Sequence, residues 1–325
     1  MRVGRVSTQG FRHEALLYAG DGEFLLGTIP FIRQGLERGE PVLVVERPEK
    51  VAMLRRELGE DANLVQFADM DEVGANPARI VPAWQQFVDE HRDATSLRGI
   101  GEPIWAARPP DELVECQRHE SLLNTAFEGG RQWRLLCPYD TEALAPSVID
   151  EARRSHAYVI ERHVQVPSPH YRGLAKSAEV FGAQLSPAPD GALGMSFGAN
   201  DLQRVRRTVS RFAASAGLDV RRASDLVCAA NEVATNSIRH GGGSGNLLIW
   251  SDGGKVLCEV RDRGHYAKPL GDRERPSGTG SPSGLWLANQ MCDLVQIRTY
   301  PTGTVVRLSV RGRQPNAQNG RSHSN

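Results

Sequence analysis

Residues 231 to 241 read Asn231-Glu232-Val233-Ala234-Thr235-Asn236-Ser237-Ile238-Arg239-His240-Gly241. Glu232, Asn236 and His240 are spaced i, i+4, i+8, which predicts one stripe of a helix carrying a carboxylate, an amide and an imidazole. Leu226, Ala230, Val233 and Ser237 fall on a neighbouring, mostly apolar face suited to packing on a sheet. Asn is a poor helix former and an awkward group to bury. Its place in the middle of this helix asks for a purpose, and holding Mg²⁺ through the amide oxygen supplies one. Glu232, one turn earlier, is placed to take a proton from a hydroxyl or a water.

The chain downstream supplies further parts of a nucleotide pocket. Val256-Leu257-Cys258-Glu259-Val260-Arg261-Asp262 predicts a strand, and Arg263-Gly264 follows it. A carboxylate at a strand end can accept from the exocyclic amine of adenine, and Gly264 would leave room for a flat ring. Residues 265 to 283 are rich in Gly, Pro, Ser and charge and predict a mobile lid. Ser283-Gly284-Leu285-Trp286-Leu287-Ala288-Asn289 then opens a helix, whose N-terminal amides attract phosphate. Gly303-Thr304-Val305-Val306-Arg307-Leu308-Ser309-Val310 alternates as a closing strand.

In this order, the residues resemble the ATPase fold shared by gyrase, histidine kinases and mismatch-repair proteins, and in particular its anti-sigma-factor serine kinase branch. The resemblance covers residues 193 to 311. In that family a Glu-x-x-x-Asn helix is the N box, Asp-x-Gly the G1 box and a Gly-Leu helix start the G2 box. The resemblance implies an α+β sandwich that binds ATP and Mg²⁺. It gives Glu232 the role of catalytic base and Asn236 that of magnesium ligand. Asp262 and Gly264 become adenine contacts, Gly284 and Leu285 belong to the G2 box, and Thr304 lies near the adenine end. The family's Gly-x-Gly-Leu stands here as Pro282-Ser283-Gly284-Leu285, with Gly278 and Gly280 displaced upstream. Each element alone has a plainer explanation. A Glu-x-x-x-Asn pair is commonly a solvated helix face, Asp-x-Gly a turn, and a Gly-Leu helix start carries almost no information. The specificity lies in their order and in the strand patterns between them.

The chain has 325 residues with 39 basic and 39 acidic side chains, room for two ordinary domains. The neutral balance gives no electrostatic case for nucleic acid or membrane binding. No apolar run reaches the length of a membrane span, and the charged N-terminus is unlike a signal peptide, so a cytoplasmic protein is expected. Cys116, Cys137, Cys228, Cys258 and Cys292 are odd in number and lack paired metal spacing. They read as reduced thiols, mostly buried in secondary structure.

Residues 1 to 165 alternate helix and strand patterns. Apolar runs over 42–46, 64–67, 97–102 and 133–137 predict buried parallel strands. Patterns over 24–38, 51–58, 79–91 and 110–128 predict the connecting helices, and together they imply an α/β sandwich on a mostly parallel sheet. Residues 166 to 192 hold Pro167, Pro169, Pro187 and Pro189 and read as a linker. The kinase-like domain follows over 193 to 312, and the polar residues 313 to 325 read as a disordered tail.

The first domain has its own resemblance. His13-Glu14-Ala15-Leu16-Leu17-Tyr18, Arg98-Gly99-Ile100-Gly101-Glu102-Pro103-Ile104-Trp105, Arg118-His119-Glu120-Ser121-Leu122-Leu123-Asn124 and Cys137-Pro138-Tyr139-Asp140 resemble the MEDS sensory domain. That domain occurs in methylotroph and methanogen regulators and fused to anti-sigma-like ATPases, and the resemblance implies a RecA/KaiC-like fold sensing a small ligand. No Gly-x-x-x-x-Gly-Lys-Ser/Thr stands in the chain, so ATP hydrolysis by this half is not expected. Glu46, Glu102 and Asp140 fall at predicted strand ends, where open parallel sheets bind ligands; capping of helices and loops is the plainer explanation. His13 and His119, each followed by Glu, offer a ligand or metal pair against a plainer structural role. Cys137 reads as an inert thiol, with no cationic neighbour in sequence.

A histidine kinase needs a helical hairpin bearing the phospho-accepting histidine before its ATPase domain. The segment before residue 193 is Pro-rich and short, so the serine kinase branch fits better. The resemblance therefore implies a kinase that phosphorylates a serine of an anti-anti-sigma (STAS) partner under control of the sensory domain. A non-catalytic ATP-binding switch that sequesters a sigma factor or anti-anti-sigma factor is the alternative. A homodimer is carried as an expectation of the family.

Overall fold

The computed structural model describes residues 10–173, 184–266, 270, 273 and 283–312. The chain divides into two compact units, residues 1–184 with 267–290, and residues 185–266 with 291–325.

The first unit is built on strands β1 (Phe11–Tyr18), β2 (Val42–Glu46), β3 (Gln66–Asp69), β4 (Arg98–Gly101), β5 (Trp133–Asp140), β6 (Tyr158–Glu161) and β7 (Val164–Pro167). Their order in the sheet is β3-β2-β4-β5-β1-β6-β7. Every neighbouring pair is parallel except β6 with β7. The mostly parallel α/β sheet is the one the alternating pattern predicts. Its helices are α1 (Gly20–Glu37), α2 (Pro48–Leu58), α3 (Met70–Val73), α4 (Ile80–Glu90), α5 (Pro110–Ala126) and α6 (Pro146–Ser155).

Successive strand residues point to opposite faces, and this sorts the core into two clusters. Leu16, Tyr18, Val44, Ile100 and Leu136 pack with Phe24, Ile32 and Leu54 of α1 and α2. Ala15, Leu17, Cys137 and Tyr139 pack with Trp84, Phe87, Cys116, Leu123 and Ile149 of α4, α5 and α6. Both sheet faces are therefore covered, as a parallel sheet requires.

Two local expectations shift. The strand expected over 64–67 begins at Gln66, because Leu64 closes a 3-10 turn over Gly59–Leu64. The stretch expected to start a linker at 166 is still sheet. Val164–Pro167 pairs with Tyr158–Glu161, turning through Arg162 and His163 at positive φ. Pro167 is tolerated there because it sits at the open edge, where its missing N–H breaks no ladder. Ser168 and Arg172 then fold back, with Arg172 donating to both carboxylate oxygens of Glu151. Residues 174–183 of the expected linker and the tail from 313 onward lie outside the described residues.

The second unit is an antiparallel sheet with helices. Strands β8 (Leu193–Gly198), β9 (Ser244–Asp252), β10 (Lys255–Asp262), β11 (Leu294–Tyr300) and β12 (Gly303–Arg311) lie in the order β11-β12-β10-β9-β8. Helices α7 (Leu202–Ser215) and α8 (Val220–His240) pair with each other, and α8 packs on β9, β10 and β12. Asp219 caps α8 by accepting from Arg222 N–H, one of four donors that a helix start leaves open. The buried face of α8 is Leu226, Ala229, Ala230, Val233, Ala234 and Ser237, small enough to let the helix lie close to the strands. Helix α9 (Gly284–Met291) follows, with its residues up to Gln290 grouped in the first unit. Among the described residues, no helix is long and apolar enough to cross a membrane.

Candidate functional site

The site in the second unit is set by where α8 ends. Ser237 is buried on the packed face and donates its hydroxyl to Asp262 Oδ2 at 2.6 Å. The other oxygen, Oδ1, accepts from Gly264 N–H at 2.8 Å. The carboxylate is thus fixed by one bond from the helix and one from its own loop. A carboxylate has about four lone-pair sites, so Asp262 keeps acceptor capacity for a further donor.

Backbone approach around this carboxylate is close enough to demand glycine. A Cβ on Gly241 would lie 2.4 Å from Asp262 Cγ, and one on Gly264 would lie 2.6 Å from the His240 carbonyl oxygen. At Gly303, φ is +138°, and a Cβ would fall on the Asp262 carbonyl oxygen. The smallness of Gly264, read from sequence as room for a base, is already required by the helix end behind it. Thr304 lies opposite Asp262 in the β10–β12 register. Its hydroxyl donates to the Gly264 carbonyl at 2.8 Å and accepts from Tyr266 N–H at 3.3 Å. Thr304 therefore holds the loop after Asp262 in place.

Glu232 and Asn236 are half-buried on α8, one turn apart, beside the face that carries Ser237. Among the described residues, neither side chain makes a hydrogen bond within the protein. His240, the third residue of the predicted stripe, is exposed at the helix end. The described structure thus brings Ser237, Asp262, Gly264 and Thr304 into one bonded group, with Glu232 and Asn236 on the adjoining helix turns. Ser237 is the member that sequence reading missed. Ser237 sat in the predicted apolar face, where its lone hydroxyl, one turn after Val233, was the available signal.

Gly284 and Leu285 open α9 in the first unit. Ser283 caps that helix by accepting from Trp286 N–H at 3.2 Å. Near the far end of α9, Asn76 and Arg79 donate to the carbonyl of Asn289, and Arg79 also to that of Gln290. Of the stretch expected to form a lid, 265–283, only His265, Tyr266, Leu270, Arg273 and Ser283 are described. Arg273 is buried and pairs with Glu115 of α5 at 3.1 Å. Gly278, Gly280 and Pro282 lie outside the described residues.

Two clusters of buried titratable side chains among the described residues of the first unit bear on ligand binding. At the carboxyl edge of its sheet, Glu46 ends β2 and Glu102 follows β4. Tyr18, at the end of β1, donates to Glu102 Oε1 at 2.8 Å, and Lys50 bonds both Tyr18 and Glu102. Burial, and then the charge of Glu102, push the Glu46 carboxyl well above the usual carboxylate range. Burial also raises Glu102, with Lys50 opposing it. Asp140 accepts from Glu142 and Ala143 N–H groups and so caps its own loop.

The second group contains His13, Glu120, Cys137 and His156, all buried, whose ligating atoms lie within 4.8 Å of one another. Of the two histidines that the sequence offered as a ligand pair against a plainer structural role, only His13 belongs to this group. His13 stacks beside His156 at 3.9 Å between ring centroids and bonds Glu120 and Cys137. His119 is not among the four, as adjacent helix positions face about 100° apart. Burial lowers His13 to about 4 and His119 to about 3. Burial would raise Glu120, yet hydrogen bonds and charge from His13 and His156 outweigh it and hold the carboxylate ionised. Cys137 lies 3.3 Å from His13 Nε2, an imidazole that burial disfavours from taking a proton, and burial pushes the thiol up. Strand pairing made this neighbour, and no sequence spacing shows it.

Comparison with known proteins finds two family matches along the chain. Residues 12–157 match the family described as the methanogen/methylotroph, DcmR sensory domain (MEDS). Residues 196–310 match the histidine kinase-like ATPase domain family. The chain therefore joins a MEDS domain to a histidine kinase-like ATPase domain, and such an ATPase domain implies ATP binding. No curated protein matches the chain. Among solved structures, one similar chain holds the RsbU and RsbW domains of Rv1364c from Mycobacterium tuberculosis, with 22% identity and a TM-score of 0.30. The match covers 39% of this chain and 34% of that one, so this chain spans about a third of its length. Another is the KaiC-like protein PH0186 from the archaeon Pyrococcus horikoshii OT3, with 20% identity and a TM-score of 0.32, covering 46% of this chain and 69% of that one.

Proposed function

We propose that this protein is a cytoplasmic, anti-sigma-factor-type serine kinase whose ATPase domain is governed by its sensory domain. The observation that carries the reading is the pair Glu232 and Asn236, half-buried one turn apart on α8 and uncommitted among the described residues, beside an Asp262 locked to the same helix by Ser237. The residues fit ATP and Mg²⁺: an amide oxygen suits a hard cation, and a fixed carboxylate suits the donor edge of adenine. Bound Mg²⁺·ATP would supply the transferable phosphoryl group and neutralise its charge, and such transfer needs chiefly positioning.

Asn236 would hold the metal, Asp262 the base, and Gly264 and Thr304 the loop around it. Gly284 and Leu285 would serve the phosphate end. Glu232 would accept the proton of the attacking serine hydroxyl, which belongs to a STAS-type anti-anti-sigma partner. Control by the first unit is supported by α5, which grips Arg273, and by Asn76 and Arg79, which hold α9. A small ligand binding near the Glu46–Glu102 edge would act on these same elements, and a homodimer would follow the family's habit.

The test is incubation of the full chain with radiolabelled ATP and candidate STAS proteins. Glu232→Gln keeps the side chain's shape, so ATP affinity and partner binding are expected to stay. Transfer is expected to slow by roughly 10²–10⁴-fold, the usual contribution of a positioned base. Transfer at an unchanged rate would remove Glu232 from that role. Absence of transfer by the wild type, with ATP and partner both bound, would instead favour a sequestering switch.

A further inference from the structure

The group around Glu120 draws on four separate elements. His13 lies on β1, Cys137 on β5, Glu120 on α5, and His156 directly follows α6. The parallel register sets Ala15 opposite Cys137, and the two-residue period carries His13 to the same face. That face is the one covered by α5 and α6. Each of the four residues is at most 2% exposed, so no water surface relieves their charges.

The contacts inside the group do not satisfy one another. His156 Nδ1 lies 2.8 Å from the Ala152 carbonyl, which can only accept, so Nδ1 carries the proton. In the neutral ring, Nε2 is then a bare lone pair, and it faces Glu120 Oε2 at 3.1 Å. Two acceptors at that distance repel unless a cation lies between them. A proton on Nε2 would relieve only one of the two carboxylate oxygens, because Glu120 Oε1 is buried without a partner. Leaving a charged carboxylate half-satisfied in the core is costly.

We propose that His13, Glu120, Cys137 and His156 form a binding site for a divalent cation of the zinc class. Two imidazole nitrogens, one thiolate and one carboxylate are a donor set of that borderline-soft kind. Tetrahedral coordination at zinc distances sets the ligand atoms about 3.3–3.6 Å apart. His13 Nε2 is 3.1 Å from Glu120 Oε2 and 3.3 Å from Cys137 Sγ, and His156 Nε2 is 3.1 Å from Glu120 Oε2. These three of the six ligand pairs stand near tetrahedral spacing and all six lie within 4.8 Å, so shifts of about an ångström would complete the tetrahedron. The Ala152 carbonyl already fixes the His156 tautomer, as a supporting partner of a ligating histidine does. The Cys137 S–H proton is released to solvent as the metal–sulfur bond forms. A divalent ion with one thiolate, one carboxylate and two neutral imidazoles is a neutral unit, which a buried site tolerates. The ion would tie α5 and α6 to the two central strands.

The experiment uses the full chain carrying Cys228→Ser, which removes the one exposed thiol, produced with Co²⁺ supplied in place of Zn²⁺. One equivalent of Co²⁺ per chain is expected, with the visible bands of a tetrahedral ion and a thiolate-to-cobalt charge-transfer band. Cys137→Ser is expected to abolish the charge-transfer band. Absence of bound metal in the parent, or a band that survives Cys137→Ser, would overturn the site. Should Cys137→Ser fail to fold, the parent's thermal midpoint decides. A midpoint raised by Zn²⁺ and lowered by chelator supports the site, and one identical in both overturns it.

Discussion

Ser237 Oγ lies 2.6 Å from Asp262 Oδ2, so the helix bearing Glu232 and Asn236 is bonded directly to the end of β10. One bond thereby ties the residues proposed for phosphoryl transfer to the residue proposed for the base. Asp262→Asn keeps the shape but turns one acceptor into a donor. ATP·Mg²⁺ affinity is expected to fall by about 1.5–3 kcal/mol, the worth of a hydrogen bond to a charged group. Asn236→Ala should cost a similar amount through the metal and vanish as a difference when Mg²⁺ is omitted. Calorimetric titration with and without Mg²⁺ checks both. Unchanged affinity in both variants would remove the pocket from this face.

Gly303 is expected to tolerate no side chain. Its φ of +138° and the Asp262 carbonyl packed against its Cα leave no room for a Cβ. Gly303→Ala should lower stability by about 1–3 kcal/mol through overpacking, with further loss from backbone strain. Urea unfolding followed by circular dichroism measures it, and a midpoint within error of wild type would mean that β12 can shift.

The pH dependence of the first unit should carry the mark of Glu46. Its carboxyl has a folded-state pKa raised well above the reference value of 4.5, by burial first and by Glu102 second. The native state therefore binds this proton more tightly than the unfolded chain does. The resulting stability is present in full below pH 4.5 and is lost as pH rises through the folded-state value. Glu46→Gln stays neutral throughout. It is expected to match wild type near pH 4 and to exceed it at pH 7 by about 1–3 kcal/mol, the cost of a poorly satisfied buried polar group. Thermal melts across that range decide, and a constant offset between the two proteins would exclude titration as the cause.

Arg273 and Glu115, each about 1% exposed in their side chains, form a buried ion pair. Breaking such a pair from one side is strongly destabilising, by about 3–5 kcal/mol. Glu115→Leu and Arg273→Met are each expected to show a loss of that order in the first unit, and the double variant to recover part of it. A double-mutant cycle of unfolding free energies measures the coupling. Strictly additive losses would show that the two side chains are not energetically paired.

Periodicity alone carried much of the architecture. Alternating apolar runs and helical stripes implied a mostly parallel α/β first unit, because strand and helix periods are local properties of the chain, whereas the α+β sandwich after it was implied by the family resemblance. Boundaries moved where tertiary contacts extend an element, as at β7, whose pairing with β6 depends on the turn at Arg162 and His163. Glu232, Asn236 and Asp262 were legible because the chemistry they are proposed for selects residue types at helical and strand-end spacing. Gly264 and Thr304 were legible as positions, whereas the close approach of Gly264 to His240 and the bond of Thr304 to Tyr266 arise from chain segments that meet only in the fold.

The sequence by itself showed the helix stripe and the strand-end carboxylate, since each is written within about twenty consecutive residues. Tertiary structure alone decided which buried polar groups share a space. His13, Glu120, Cys137 and His156 are separated by up to 143 residues in number, yet parallel pairing of β1 with β5 and the seating of α5 and α6 set them within 4.8 Å. Ser237 looked like one more small residue on an apolar face until β10 placed Asp262 against it. Spacing along the chain encodes which face a side chain occupies, and only packing fixes what that face meets.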